Sequence, residues 1–486
     1  MITLEQHGFE CEYEMGVFIR LYLKQDEDAA VKTFFSEEDA VCRCECIIEY
    51  GGRRISAEDT RHFRDFYDDD VRRQARRGAV VGSFCRAAEK IRKIPLPWGI
   101  MSGIRPVKIV RSLIEKGYSG EQAAEIFGEV FGVSPQKRSL SLEVYKNEKP
   151  VLDSHDSKSA GLYIGIPFCP TRCSYCSFIS SPIKTSGRYI PEFVSLLTEE
   201  IKVTSELMER TGIYPETIYI GGGTPTSLSE YDLDRILCAL DPVIEKSGVK
   251  EITLEAGRPD TISRSKLETA LKHGVNRISI NPQTMHSETL EKIGRRHTPE
   301  DIERSFYTAR ECGFKAINMD LIAGLPGEDF EMFRESLERV AALGSENITV
   351  HTLCIKRAAD TAKDFNDAAR AGHTAEMLEY SYDRLKELSY SPYYMYRQKN
   401  MAGNLENVGY SKSGYEGIYN IKIMEEVQSI IALGGGGASK AVMGDRIERV
   451  FNFKDASEYI RRFDEIIERK KKIFDMIENY ERRRNI

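Results

Sequence analysis

The chain has 486 residues, a formal net charge of −7, 30% charged and 41% hydrophobic residues, and 11 cysteines. That length predicts about two or three domains, and the acidic balance gives no electrostatic footprint for nucleic acid. No stretch approaches the ~20 apolar residues of a membrane span. Met1 to His7 lacks the character of a secretory signal, so a cytoplasmic protein with reduced thiols is expected.

Residues 1 to 154 read as an N-terminal α+β domain with its linker, strands being predicted at Val17–Leu23 and Val41–Tyr50 and helices at Ala57–Arg77 and Ala123–Val130. Cys42, Cys44 and Cys46 alternate, so a strand would turn all three to one face, either as a second metal site or as small core residues. Pro95 to Pro106 forms a loop holding the only tryptophan, Trp98, and suits either ligand binding or a packed connector. Lys146 to Ala160 is polar and reads as the linker. Cys11, Cys85, Cys238, Cys312 and Cys354 stand alone and are expected to pack singly.

A different pattern occupies residues 155–390. Strands are predicted at Leu162–Ile166, Thr217–Ile220, Glu251–Glu255, Arg277–Ile280, Ala316–Ile322 and Asn347–Thr352. Helices separate them at Pro191–Arg210, Asp232–Glu245, Ser265–Lys272, Asp301–Cys312 and Phe330–Leu343. Such alternation means an α/β fold with a parallel sheet, either a barrel or a doubly wound sheet. Cys169, Gly221–Thr224, Glu255, Gln283 and Asp320 fall at or just after the strand ends, where parallel α/β folds place their chemistry.

Directly after the first of these strands come Cys169, Cys173 and Cys176, spaced Cys-x3-Cys-x2-Cys. Three thiolates in one short loop suit iron–sulfur ligation with one iron left open. A structural zinc ion would want a fourth Cys or His nearby, and residues 160 to 185 offer none. Buried, unligated cysteines are the remaining reading. Gly221 to Gly223 would let backbone amides approach a ligand closely, and Glu255 could accept hydrogen bonds from ribose hydroxyls.

Residues 391–486 read as a C-terminal accessory region. It has a strand at Tyr393–Lys399, a glycine loop within Ile430–Ser439, and a helix presenting Ile460, Phe463, Ile467, Phe474 and Ile477 on one face. The Arg469–Lys472 run on that helix is expected to face solvent.

The cysteine spacing, the Gly221–Thr226 run and Asn318 to Pro326 together resemble the radical S-adenosylmethionine (SAM) superfamily. Within it they are similar to the oxygen-independent coproporphyrinogen III oxidase family. The forms of Gly165–Thr171, Ile280–Gln283 and Tyr396–Gly403 look most like its HemZ-type branch. The resemblance implies a partial (β/α)6 TIM-like barrel with a 4Fe–4S cluster held by Cys169, Cys173 and Cys176, SAM chelating the fourth iron. It also implies SAM contacts from Tyr163, Tyr175, Gly222, Gly223, Thr224, Glu255, Gln283, Arg295 and Asp320.

The implied reaction is oxidative decarboxylation of coproporphyrinogen III to protoporphyrinogen IX through a 5′-deoxyadenosyl radical. A reduced flavodoxin- or ferredoxin-type protein would supply the electron. Arg105, Arg397 and Lys399 are candidates for the substrate carboxylates. Two positions depart from the oxidase pattern: Phe178 stands where oxidases carry another Cys, and Gly165 where they carry His. A haem-binding chaperone of the same family, or a radical SAM enzyme for another tetrapyrrole reaction, therefore stays open beside the oxidase.

Overall fold

The computed structural model describes the chain apart from residues 25–26, 177–180, 355–367, 399–404 and 485–486. It divides into two compact units, one built chiefly from Met1–Tyr145 and the other chiefly from Lys146 onward.

In the first unit a sheet has the strand order Ile2–His7, Ala29–Glu38, Val41–Tyr50 and Arg53–His62. The segment Val17–Leu23, expected as strand, belongs instead to the end of helix Glu12–Tyr22. Met15, Phe18, Ile19 and Tyr22 recur at helical spacing and are all buried, and that period outweighs the β-branched content. The expected helix Ala57–Arg77 is also corrected. Its first residues lie in strand Arg53–His62, which pairs with Val41–Tyr50, and the helix starts at Asp69. Asp68 caps it, accepting from the Val71 N–H. Backbone pairing specifies that charged strand, and no apolar stripe marks it in the sequence. The expected linker is largely structured too, with helix Pro135–Asp153 running into it and a strand starting at Ser159.

Cys42, Cys44 and Cys46 lie buried with Ile48, in one core cluster with Ala79, Phe84 and Cys85. Burial pushes the Cys42 thiol up to about 11, as an apolar setting dictates. Their place is in the core.

Trp98 is buried, and its Nε1–H donates to Glu406 at 2.6 Å, while Lys137 donates to the other carboxylate oxygen at 2.6 Å. Ile100 to Gly103 of the same loop line a cavity of about 400 Å³.

In the second unit, strands Ser159–Ile166, Tyr214–Gly222, Glu251–Glu255, Arg277–Ser279, Ala316–Ala323 and Asn347–Thr352 are parallel neighbours in chain order. A doubly wound sheet would reverse direction at a switch point, whereas this uninterrupted order is that of a barrel wall. Each strand is almost wholly buried, covered on its outer face by helices such as Ile190–Thr211 and Glu230–Ser247. The C-terminal region contributes strands to the same sheet. Ser429–Gly434 runs parallel to Ser159–Ile166, and Glu406–Ser411 runs antiparallel to Asn347–Thr352. The result is a partial (β/α)6 barrel extended at both edges.

One charge in the Arg469–Lys472 run departs from its expected place in solvent. Lys470 is buried 3.1 Å from the Glu200 carboxylate, which also accepts from Tyr459 Oη–H at 2.7 Å and Gly434 N–H at 2.8 Å. Only such a network makes two buried charges tolerable.

Candidate active site

The Cys169–Cys176 loop leaves the C-terminal end of strand Ser159–Ile166, and the glycine run of the neighbouring strand is stitched to it. Gly223 N–H donates to Ile166 O at 2.8 Å, and Thr224 N–H to Phe168 O at 2.8 Å. The Cys169 sulfur lies 3.4 Å from Thr224 Oγ1. A Cβ on Gly223 would stand 2.6 Å from Phe168 O and 3.0 Å from the Cys169 sulfur, so only glycine fits there.

From the opposite side, Ser174 N–H donates to Ile293 O at 3.2 Å and Thr171 Oγ1–H to Gly294 O at 3.2 Å. Arg258 donates to Thr171 Oγ1 at 3.2 Å and reaches the Cys173 sulfur at 3.6 Å. Cys169 and Cys173 are buried and Cys176 is half-buried. Three thiols on a glycine-cradled loop beside a guanidinium fit a cluster that offers each its own iron.

Glu255 closes the third strand of the wall. Tyr219 Oη–H donates to it at 2.5 Å and Gly222 N–H at 3.2 Å. Burial pushes its carboxyl up to about 7, and the nearby Asp320 carboxylate pushes it the same way. Burial also raises the Asp320 carboxyl, but the His351 ring at 3.6 Å and the Asn318 amide at 2.7 Å outweigh it and hold it below its usual range. The two acids are thus pushed apart in the same interior. Tyr163 stacks on Tyr219 at 6.2 Å between centroids, and Tyr219 on Tyr419 at 4.6 Å.

Gln283 adopts φ 68°, a left-handed conformation uncommon without glycine. It is pinned there by Asp320 O, which accepts its N–H at 2.8 Å, and by the Ile322 N–H, which donates to its carbonyl at 3.0 Å. Arg295 is buried and donates to Tyr175 Oη at 3.2 Å and to the carbonyls of Gly257 and Asn281. His297 is buried close by. Burial first, then the Arg295 and Arg258 charges, hold its ring down to about 4 and therefore neutral at physiological pH.

The structure thus gathers the expected residues in contacting sets: Cys169 with Gly223 and Thr224, Glu255 with Gly222, Gln283 with Asp320, and Tyr175 with Arg295. Sequence reading missed Tyr219, Arg258 and His351. A signal existed for two of them, because Tyr219 is the register partner of Tyr163 and His351 that of Ile322, near the same strand ends. Arg258 comes from a loop and carried none.

Two of the substrate candidates belong to the first unit. Arg397 is buried there, 5.5 Å over the Trp98 ring, and donates to the carbonyls of Met101 and Gly103 at 2.8 and 3.2 Å. Burial pulls its guanidinium down to about 10, still charged at neutral pH. Arg105 precedes helix Pro106–Glu115 of that unit. Lys399 and Phe178 lie outside the described residues.

Residues 163–340 match the radical SAM superfamily. The chain is 41% identical over 387 residues to the oxygen-independent coproporphyrinogen-III oxidase-like protein HemZ of Bacillus subtilis, a match covering 78% of this chain and 77% of that one. The chain belongs to the radical SAM superfamily and, within it, to the HemZ-type branch of the oxygen-independent coproporphyrinogen III oxidase family. The heme chaperone HemW of Bacillus subtilis is 39% identical over 197 residues, 40% of this chain and 50% of that protein. Here the chain spans half the length of its relative. Coproporphyrinogen III oxidase HemN from Escherichia coli has the same fold, with a TM-score of 0.50 and 22% identity over 65% of this chain and 71% of that one. Membership of this superfamily implies a 4Fe–4S cluster and SAM, and the cysteine loop offers three thiols for such a cluster. Among the described residues no helix is long and apolar enough to cross a membrane.

Proposed function

We propose that this protein is a radical SAM oxidoreductase acting on a tetrapyrrole, and that it oxidatively decarboxylates coproporphyrinogen III to protoporphyrinogen IX. Residues 1–154 would form a separate N-terminal domain, 155–390 the catalytic core and 391–486 an accessory region. The observation that carries the reading is the cysteine loop, buttressed by Gly223 and Arg258, at the same strand ends as Glu255, Gln283 and Asp320.

Cys169, Cys173 and Cys176 would hold the cluster, with SAM at the remaining iron. When bound, the cluster and SAM supply a 5′-deoxyadenosyl radical able to take a hydrogen atom from an unactivated carbon. The protein binds, orients and excludes water. Gly222, Gly223 and Thr224 offer close backbone approach at the methionine end of SAM. Arg295, fixed by two carbonyls and Tyr175, would offer a cation to the SAM carboxylate. Glu255 and Asp320, held by Tyr219 and His351, would accept hydrogen bonds from the ribose hydroxyls. Tyr163 completes this wall. Each of two propionate side chains would give a hydrogen atom to the 5′-deoxyadenosyl radical, forming 5′-deoxyadenosine, and then release CO2 and pass one electron to a one-electron acceptor to become vinyl. The electron for SAM cleavage would come from a reduced flavodoxin- or ferredoxin-type protein.

The identity to the chaperone HemW over 197 residues favours a second reading, in which the chain keeps the cluster and carries haem. One experiment separates them: the anaerobically cluster-loaded protein is mixed with SAM, a reductant and coproporphyrinogen III. The first reading predicts protoporphyrinogen IX, CO2 and 5′-deoxyadenosine. Tight binding of intact haem, with no porphyrinogen turnover, would overturn it in favour of the second.

A further inference from the structure

Cys238, expected to pack alone, is exposed on the outer face of the barrel among groups that do not belong to the site above. Helix Glu230–Ser247 carries Asp234, Cys238 and Asp241 at steps of four and three, so all three share one face. His273, at the end of helix Arg264–Lys272, reaches across to them with a side chain 4% exposed. Its Nδ1 lies 2.8 Å from Asp241 Oδ1. Its Nε2 faces Asp234 Oδ1 at 3.1 Å and the Cys238 sulfur at 3.8 Å, and that sulfur is 3.7 Å from Asp234 Oδ2.

Zinc bonds of about 2.3 Å to sulfur and about 2.0–2.2 Å to nitrogen and oxygen, at tetrahedral angles, place the three ligand atoms roughly 3.3 to 3.6 Å apart. His273 Nε2 stands 3.1 Å from Asp234 Oδ1 and 3.8 Å from the Cys238 sulfur, the sulfur stands 3.7 Å from Asp234 Oδ2, and one ligand atom from each of the three residues lies within 4.8 Å of the others, so a rotation of the Asp234 carboxylate that presents a single oxygen to both partners would bring the set to those separations. Asp241 on the far ring nitrogen completes the carboxylate–histidine–metal arrangement, which fixes the ring tautomer so that Nε2 offers its lone pair.

We propose that Asp234, Cys238 and His273 form a site for a divalent zinc-like ion on the outside of the barrel, oriented by Asp241 and open to a solvent ligand on the exposed side of Cys238. The ion would clamp helix Glu230–Ser247 to helix Arg264–Lys272, which follow the strands ending in Gly222 and Glu255. Hydrogen bonding between the imidazole and two aspartates accounts for the His273 contacts but not for the sulfur that faces both partners. A Cys–His–Asp nucleophile is disfavoured because Asp234 places an anion beside the sulfur, where a thiolate would have to form.

The test uses cluster-loaded protein, freed of loosely held metal and dialysed against buffered zinc at roughly micromolar free ion, with zinc and iron counted in the same sample. One zinc per chain should be retained beyond the cluster iron, and zinc should slow alkylation of Cys238. Cys238→Ser and His273→Ala should lose that zinc with iron unchanged, and Asp241→Asn should weaken binding on the order of tenfold. Should His273→Ala fold poorly, the exposed Cys238→Ser carries the comparison. Zinc retained undiminished in Cys238→Ser, no zinc in the parent protein, or a fast-reacting Cys238 that zinc does not protect would each overturn the proposal.

Discussion

Glu255 is the residue whose chemistry is most altered by its surroundings. Its carboxyl stands near 7 against an ordinary 4.5, so across that window the folded chain keeps a proton that the unfolded chain has released. Stability contributed by this group is therefore present below pH 4.5, falls as the pH rises towards 7, and is gone above it. The full cost at pH 8 is on the order of 3 kcal/mol. Glu255→Gln keeps an acceptor for Tyr219 but cannot ionise. In denaturant unfolding without SAM, it should be the more stable protein at pH 8 and lose most of that advantage at pH 5, while binding SAM more weakly. Equal stability differences at both pH values would remove the buried-acid account.

At the scale of elements, the glycine loop at 434–437 explains a departure that the sequence could only register. A Cβ on Gly165 would stand 2.5 Å from Gly435 O, and one on Gly434, at φ 76°, would stand 2.2 Å from Gly165 O. Gly435 N–H donates to Gly165 O at 2.9 Å. The loop occupies the space a side chain at 165 would take, and the buried Glu200–Lys470 pair fastens it. Gly165→Ala must displace this loop, and with it the chain leading into Cys169. We expect a loss of about 1–3 kcal/mol in unfolding free energy and lower iron content after reconstitution. Unchanged stability and iron content would mean that the two loops are not coupled.

At the scale of the whole molecule, the barrel was legible because its signals agree. Helices begin on Ser229, Ser263, Thr298 and Asp329, and several end on glycines such as Gly248 and Gly344, so caps and apolar period point to the same limits. The strands between them are short apolar runs buried on both faces. The first unit was less legible. Its charged strand Arg53–His62 is held by pairing, and helix Glu12–Tyr22 mixes β-branched residues into a helical stripe. In the site, Gly222, Gly223, Thr224, Glu255, Gln283 and Asp320 could be read from strand ends. Arg258 acts from a loop, and Lys470 is buried by a contact with Glu200 that lies 270 positions earlier in the chain. Neither contact leaves a local pattern.

Everything proposed for the site depends on Cys169, Cys173 and Cys176 holding a cluster that SAM approaches directly, and electron paramagnetic resonance of the reduced, cluster-loaded protein tests it. The cluster signal should change shape and g values when SAM is added, and Cys173→Ala should lack the SAM-responsive signal. A spectrum that saturating SAM leaves unaltered, or a Cys173→Ala spectrum that responds like the parent, would contradict it.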